Sequence, residues 1–502
     1  MSSTSHATAP APPDLPWADQ LHDHHRDNDL RRGRLGPLQV FAQSLAAAGP
    51  SIAVAGTLPL AYFTAGSGSI IAVIIGTSIV LLVAVVVAQF ARQHASTGSL
   101  STYAAQGLGP WAGFAGGWGL AIGYTGIASA CAAGTALFAD NALVGLGLEL
   151  PAWGTLVSLL VLANLGALLV NARGVSLSTR LSFILEAFSL AIIVVVLITA
   201  VSHFGLNIDV AAAAEVASPT VPAIASAAVI AVTIFVGFES AGSLGVEARE
   251  PYRAIPRAIY ITAGSVGVLY VVAGYVQAVA FSGGVDTTNA ITPFSAIAQA
   301  ASGNALAVVL DLSIAASSFA CTVASASAAA RNLFNLSREG ALPPVLGRAH
   351  PRFNTPVAAT VVVQAASLLV PLIYVIAQLD SAAGADPAAQ LWSSFLATAV
   401  GGTYGYLLAY LLVNISALVV FRREGILRPG VAAAAILSGV AIIVVAYNVF
   451  GSYERTLPIG FGLLLALGLG WFGYVVWTKP EAARRVGTFS LSAPKPVDEV
   501  AT

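Results

Sequence analysis

What this sequence lacks most is charge. No charged residue stands between Arg34 and Arg92, and none between Arg92 and Asp140. Charged residues make up 9% of the chain and hydrophobic residues 57%. Runs this long and this bare exclude a soluble globular surface and read as membrane-spanning helices, each needing roughly 20 apolar residues. Alternating segments of about ten residues, which a membrane barrel uses, are also missing. Helices are then the remaining way to satisfy every backbone group in lipid. Cysteine is nearly absent: Cys131 and Cys321 both fall inside apolar runs. They read as buried small hydrophobes, with no disulfide framework and no metal site. No nucleotide-binding glycine loop, zinc motif or nucleophile elbow is found. A built-in ATP motor is therefore not expected, nor is an enzyme or a cofactor. The first 30-odd residues have no apolar core segment, so no cleavable signal peptide is expected.

What is present is twelve apolar runs, at about 38–62, 69–91, 111–139, 152–171, 179–202, 221–246, 258–282, 305–330, 356–378, 391–420, 431–450 and 457–477. The fold class expected is an all-α polytopic membrane protein. Residues 1–34 and 479–502 read as tails, and 35–478 as the membrane domain. His22, His24 and His25 belong to the first tail and read as part of a solvated polar segment. The basic residues sort by side. Arg26, Arg31, Arg32 and Arg34 precede the first run, and Arg92 follows the second. Further clusters follow runs 4, 6, 8, 10 and 12, while Arg455 alone falls on the opposite side. The positive-inside rule then places both termini in the cytoplasm of a plasma-membrane protein. The net charge of −1 gives no pointer to nucleic acid.

Two runs are interrupted. The first carries Ala48-Gly49-Pro50-Ser51 at its middle, where proline removes a backbone donor and clashes with the preceding turn. The sixth carries Gly237-Phe238-Glu239-Ser240-Ala241-Gly242, an acid between glycines that permit unwinding. Interruptions at matching places in two halves point to an inverted-repeat transporter with its site at the midplane. Repeat 1 would cover about 38–202 and repeat 2 about 221–420, with helices 431–477 added. Gly113, Gly117, Gly119 and Gly123 give close-packing spacing on the third run. Most tryptophans lie near run ends, as interfacial anchors do.

Few polar residues remain to carry chemistry. Glu239 is the first candidate, because a mid-membrane carboxylate costs roughly 2.5–3.5 kcal/mol and should face the interior or water. It suits a proton or substrate coupling group, or a protonated acid that holds the unwound segment through hydrogen bonds. Glu247 reads as a solvated helix end at the cytoplasmic mouth, or as half of a gate ion pair with a basic residue from another loop. Glu186 could pair with Arg180 or line the path inward. Asp311 reads as an interhelical hydrogen-bond partner. Ser313, Ser317, Ser318, Thr322, Ser325 and Ser327 form a hydroxyl cluster on the eighth run, suited to holding helices together or to coordinating Na⁺.

Three motifs resemble the amino acid–polyamine–organocation superfamily of permeases. One is Gly237-Phe238-Glu239 through Glu247-Ala248-Arg249-Glu250-Pro251 to Ile255-Pro256-Arg257. The second is Ser96-Thr97-Gly98-Ser99 through Gly107-Leu108-Gly109-Pro110 to Gly117-Trp118, and the third is Ala330-Arg331-Asn332 through Ser337-Arg338-Glu339-Gly340 to Pro343. The resemblance covers residues 35–425. It implies the LeuT-type fold, a 5+5 inverted repeat plus two additional helices, working by alternating access. It also implies a substrate carboxylate at Gly49, Ser51, Ile52 and Ala53, and an amino group near Ile234, Phe235 and Gly237. The chain departs from the family pattern twice. Pro50 has no N–H to offer, and Ser189 stands where several proton-coupled members place a lysine. The function expected is a secondary permease for an amino acid or similar small amine, favouring a neutral one. Coupling would be to H⁺ through Glu239, or to Na⁺, or replaced by exchange. A non-transporting membrane sensor or scaffold is the rival from another class.

Overall fold

The computed structural model describes residues 30, 33–148, 150–287, 292–378, 386–452, 456–488 and 491–492. Most of the first tail, including His22, His24, His25, Arg26, Arg31 and Arg32, and half of the second, including Lys495, lie outside these, as does Arg455. Among the described residues the chain is helical apart from a two-residue pairing of 94–95 with 491–492 and a single bridge between Leu35 and Ala248.

The principal helices are α1 (Pro37–Ala48), α2 (Ser69–Ala91), α3 (Pro110–Gly145), α4 (Ala152–Arg173), α5 (Val175–Phe204) and α6 (Val221–Thr233). They continue with α7 (Pro251–Ser282), α8 (Asn304–Arg338), α9 (Val357–Gln378), α10 (Pro387–Arg423), α11 (Pro429–Ser452) and α12 (Thr456–Thr478). Among the described residues, ten stretches are long and apolar enough to cross a membrane, and one of them, Pro37–Ala91, contains both α1 and α2. The sixth expected span differs. Its helix stops at Thr233 after 13 residues, about 20 Å at 1.5 Å per residue. Turns and a 3₁₀ segment, Ser240–Leu244, carry the chain on.

Burial separates centre from periphery. About 72% of the apolar window of α8 is buried, and 67% of those of α3 and α10, against 17% for α12. α3, α8 and α10 thus form the centre. Glycine lets α3 and α10 touch backbone to backbone: a Cβ on Gly405 would lie 2.0 Å from the Gly119 carbonyl oxygen. The tryptophans divide. Trp111, Trp153, Trp471 and Trp477 are exposed as anchors would be, whereas Trp392 is half-buried and stacks on Phe395.

The break in α1 follows from three consecutive residues. Ala48 ends the helix, Gly49 adopts the left-handed conformation (φ 52°), and Pro50 starts the next turn with a fixed φ and no donor to lose. The continuation Pro50–Ile52 passes into a π-turn, Ala53–Thr57, before Pro59–Ala65 resumes as α-helix. Pro59 cannot donate to Ala55, which accounts for the local widening. Gly237 (φ 100°) marks the corresponding turn after α6. The two breaks touch, since a Cβ on Gly237 would lie 2.5 Å from the Ala47 carbonyl oxygen.

Candidate functional site

Breaking two helices inside a bundle frees backbone groups that must find partners. Side chains from neighbouring helices supply several. Gln277 of α7 donates to the Val54 carbonyl in the π-turn at 2.8 Å. Tyr270 of α7 donates to the Ile234 carbonyl just past α6 at 3.0 Å. Ser240 donates to the Gln43 carbonyl at 3.1 Å, and the Ala241 N–H donates to Ser44 at 3.0 Å, which sews the two broken segments together.

A cavity opens where the breaks meet. One wall is the α1 break, with Ala47, Gly49, Ile52 and Ala53, and another is the end of α6, with Thr233, Ile234 and Val236. α3 contributes Ile127, Ala130 and Cys131, and α8 contributes Cys321. The far wall belongs to α10, from Phe395 to Thr403. Among the described residues, no charged side chain lines this space; hydroxyls come from Thr57, Thr233 and Thr403. Of the expected substrate positions, Gly49, Ile52, Ala53 and Ile234 line the cavity. Ser51, Phe235 and Gly237 stand behind it. Phe235 packs edge-on against Tyr270, with ring centroids 4.8 Å apart.

The acidic candidates lie outside that wall. Glu239 is fully buried and accepts from two tyrosines, Tyr124 of α3 at 2.8 Å and Tyr410 of α10 at 2.6 Å. It therefore ties the unwound stretch after α6 to the two central helices. Glu186 of α5 is also fully buried. It does not meet Arg180, which is exposed. Its Oε1 accepts from the Ser51 hydroxyl at 3.0 Å and the Ser51 N–H at 3.4 Å, and its Oε2 accepts from Ser317 at 2.7 Å. Because Pro50 has no N–H, Ser51 is the first donor after the break, and Glu186 already holds it. No basic side chain pairs with Glu186 among the described residues. Ser189, one turn further on, donates to Ser313 at 3.5 Å. Ser318 is buried with its hydroxyl unpaired.

Glu247 forms an ion pair with Arg331, near the end of α8 rather than in a loop. Nε lies 2.6 Å from Oε2 and Nη2 3.3 Å from Oε1, with both residues at most 3% exposed. Arg331 also donates to Ser327. The segment before α1 closes over this pair, as Arg34 and Leu35 N–H groups donate to the Glu247 carbonyl at 2.8 and 3.0 Å. Asp311 accepts from Asn141 of α3 at 2.5 Å and from Ser295 at 2.6 Å, the interhelical role expected of it.

Sequence reasoning missed the α10 wall, the two tyrosines on Glu239, and the backbone donors Gln277 and Tyr270. The only trace of α10 was its Gly401-Gly402 and Gly405, which complement the glycines of α3. Tyrosines in apolar runs carry no signal of their own.

Comparison with known proteins agrees with this architecture. A family model described as amino acid permease matches residues 35–474. An uncharacterized transporter of Mycobacterium tuberculosis is 27% identical over 402 residues, covering 79% of this chain and 82% of the relative. A branched-chain amino acid permease of Bacillus subtilis is 26% identical over 438 residues, covering 82% and 84%. A low-affinity putrescine importer of Escherichia coli is 25% identical over 303 residues, covering 58% and 64%. With the family model spanning nearly all of the described helices, the chain belongs to the amino acid permeases of the amino acid–polyamine–organocation superfamily.

Proposed function

We propose that this permease is a secondary active transporter for an amino acid with an uncharged, apolar side chain. It works by alternating access in the plasma membrane, with both termini cytoplasmic and with residues of about 38–202 and 221–420 acting as inverted repeats. The observation that carries this reading is the cavity between the two breaks, whose described lining holds no charged side chain. An apolar wall favours an apolar side chain, while backbone groups and three threonines serve the substrate's own ammonium and carboxylate. A diamine would leave a second ammonium facing apolar wall, at a cost of several kcal/mol. The branched-chain permease among the relatives fits this choice better than the putrescine importer does.

Coupling is assigned to Glu186 in place of Glu239. Glu239 is held by two tyrosine hydroxyls from two helices, an arrangement suited to fixing a backbone. Glu186 instead touches the break itself through Ser51, and α8 through Ser317, with three donors and no counter-cation. A proton taken up there neutralises the carboxylate and weakens its hold on the Ser51 N–H, so protonation and rearrangement of the α1 break are linked. The same oxygens could hold Na⁺ instead.

The test is uptake of labelled leucine, valine, arginine and putrescine into proteoliposomes with imposed pH or Na⁺ gradients. Leucine or valine uptake driven by an inward proton gradient is expected. Glu186→Gln should lose the pH-driven component while retaining exchange of internal for external substrate. Uptake of putrescine alone would refute the substrate assignment. Uptake driven by Na⁺ and indifferent to pH would refute the proton assignment.

A further inference from the structure

The chain has two cysteines, and the fold sets them against each other. α3 and α8 run antiparallel. Gly145 packs on Val308, and Asn141 donates to Asp311. Gly134 packs on Ser318, and Asn332 donates to the Gly117 carbonyl. From Asn141 to Gly134, seven residues back along α3 are matched by seven forward along α8, from Asp311 to Ser318. One step of three residues from the Gly134–Ser318 contact brings Cys131 opposite Cys321. Both line the cavity. Cys321 in turn donates to the Ala47 carbonyl at 3.4 Å, at the last turn before the α1 break, and Gly49 packs directly on its sulfur. Two thiols on separate helices thus meet in the wall of the cavity beside the hinge of a third. Buried small hydrophobes would not need to face each other there.

The geometry points to a dithiol site in the cavity wall that takes a thiophilic, bifunctional ligand of the trivalent arsenic class. Arsenic keeps its oxidation state in this reaction. Two As–S bonds replace the arsenic–oxygen double bond, and the two thiol protons leave with the oxygen as water. The product bridges α3 to α8 and projects into the space where substrate would sit, next to the α1 break. Bridging by two thiols strengthens binding through effective concentration, by about 10²-fold or more over either thiol alone.

The test uses the purified full chain and phenylarsine oxide. Intact-protein mass should show one phenylarsenic group per chain and both free thiols lost. 2,3-Dimercaptopropanol should reverse this, and 2-mercaptoethanol at equal thiol concentration should not. Cys131→Ser and Cys321→Ser, each checked for unchanged melting and monodispersity, should each weaken arsenical binding by about 10²-fold or more. In proteoliposomes the adduct should block uptake by the wild type, and removal of the arsenical with 2,3-dimercaptopropanol should restore it. Adduct formation by a single-cysteine variant with wild-type affinity would overturn the proposal. So would a wild-type chain that takes no arsenical, whether or not its thiols react singly with N-ethylmaleimide. Because the adduct is read by mass, its absence is separate from any failure of the transport reading.

Discussion

Removing the Glu247 carboxylate should loosen one end of the bundle by an amount the structure bounds. Glu247 and Arg331 are both at most 3% exposed and share two hydrogen bonds. In Glu247→Ala the guanidinium keeps only Ser327 and stays buried. Breaking a buried pair by deleting one partner costs about 3–5 kcal/mol. Opening this end would let Arg331 reach water, so the cost should appear as a shift toward the open form of roughly 10²- to 4 × 10³-fold. Three amides report on closure. Those of Arg34 and Leu35 donate to Glu247, and that of Arg249 donates to the Leu35 carbonyl at 3.0 Å. Hydrogen–deuterium exchange of peptides covering 33–36 and 246–250 should lose protection by that factor in Glu247→Ala. The double variant Glu247→Ala/Arg331→Ala leaves no buried charge and should recover part of the protection. Unchanged exchange in the single variant would refute the reasoning. So would a double variant showing the sum of the two single losses.

Two further substitutions probe the breaks. Gly237→Ala places a Cβ 2.5 Å from the Ala47 carbonyl oxygen at φ 100°, a strain of order 1–3 kcal/mol before any clash. It should lower the melting temperature and the yield of monodisperse protein, whereas Gly264→Ala, with nothing within 4 Å, should leave both unchanged. Glu239→Gln keeps one acceptor for Tyr124 and Tyr410 and loses the other, at a cost of about 1–3 kcal/mol. Melting should fall, and the pH dependence of uptake should persist. A Glu239→Gln protein that is stable but blind to pH would return the coupling role to that residue.

The membrane class and both breaks were legible because each is written locally. A run without charge and a Gly-Pro pair mean the same thing in any surroundings. Glu247 read more readily as a solvated helix end than as half of an ion pair, because neither its burial nor Arg331 on α8 is written near it. Which of their alternative roles Glu239 and Glu186 play was not legible. Both are lone acids in apolar runs, and what distinguishes them is what the other helices bring: two tyrosines to Glu239, and the Ser51 N–H with two serine hydroxyls to Glu186. The α10 wall was hidden for the same reason, since Phe395, Ala399 and Val400 look like any lipid-facing residues until the bundle closes. The facing of Cys131 by Cys321 depends on the register of α3 against α8, which no local pattern encodes.

The central claim is that substrate occupies the cavity between the breaks, and filling that cavity tests it most directly. Ala399 lines the far wall and is only partly buried, so Ala399→Phe can project its ring into the empty space without displacing the core. Binding of labelled leucine to the purified protein, measured by scintillation proximity, should be lost in Ala399→Phe while its melting temperature stays within a few degrees of the wild type. Leucine binding of unchanged affinity in a correctly folded Ala399→Phe protein would contradict the account.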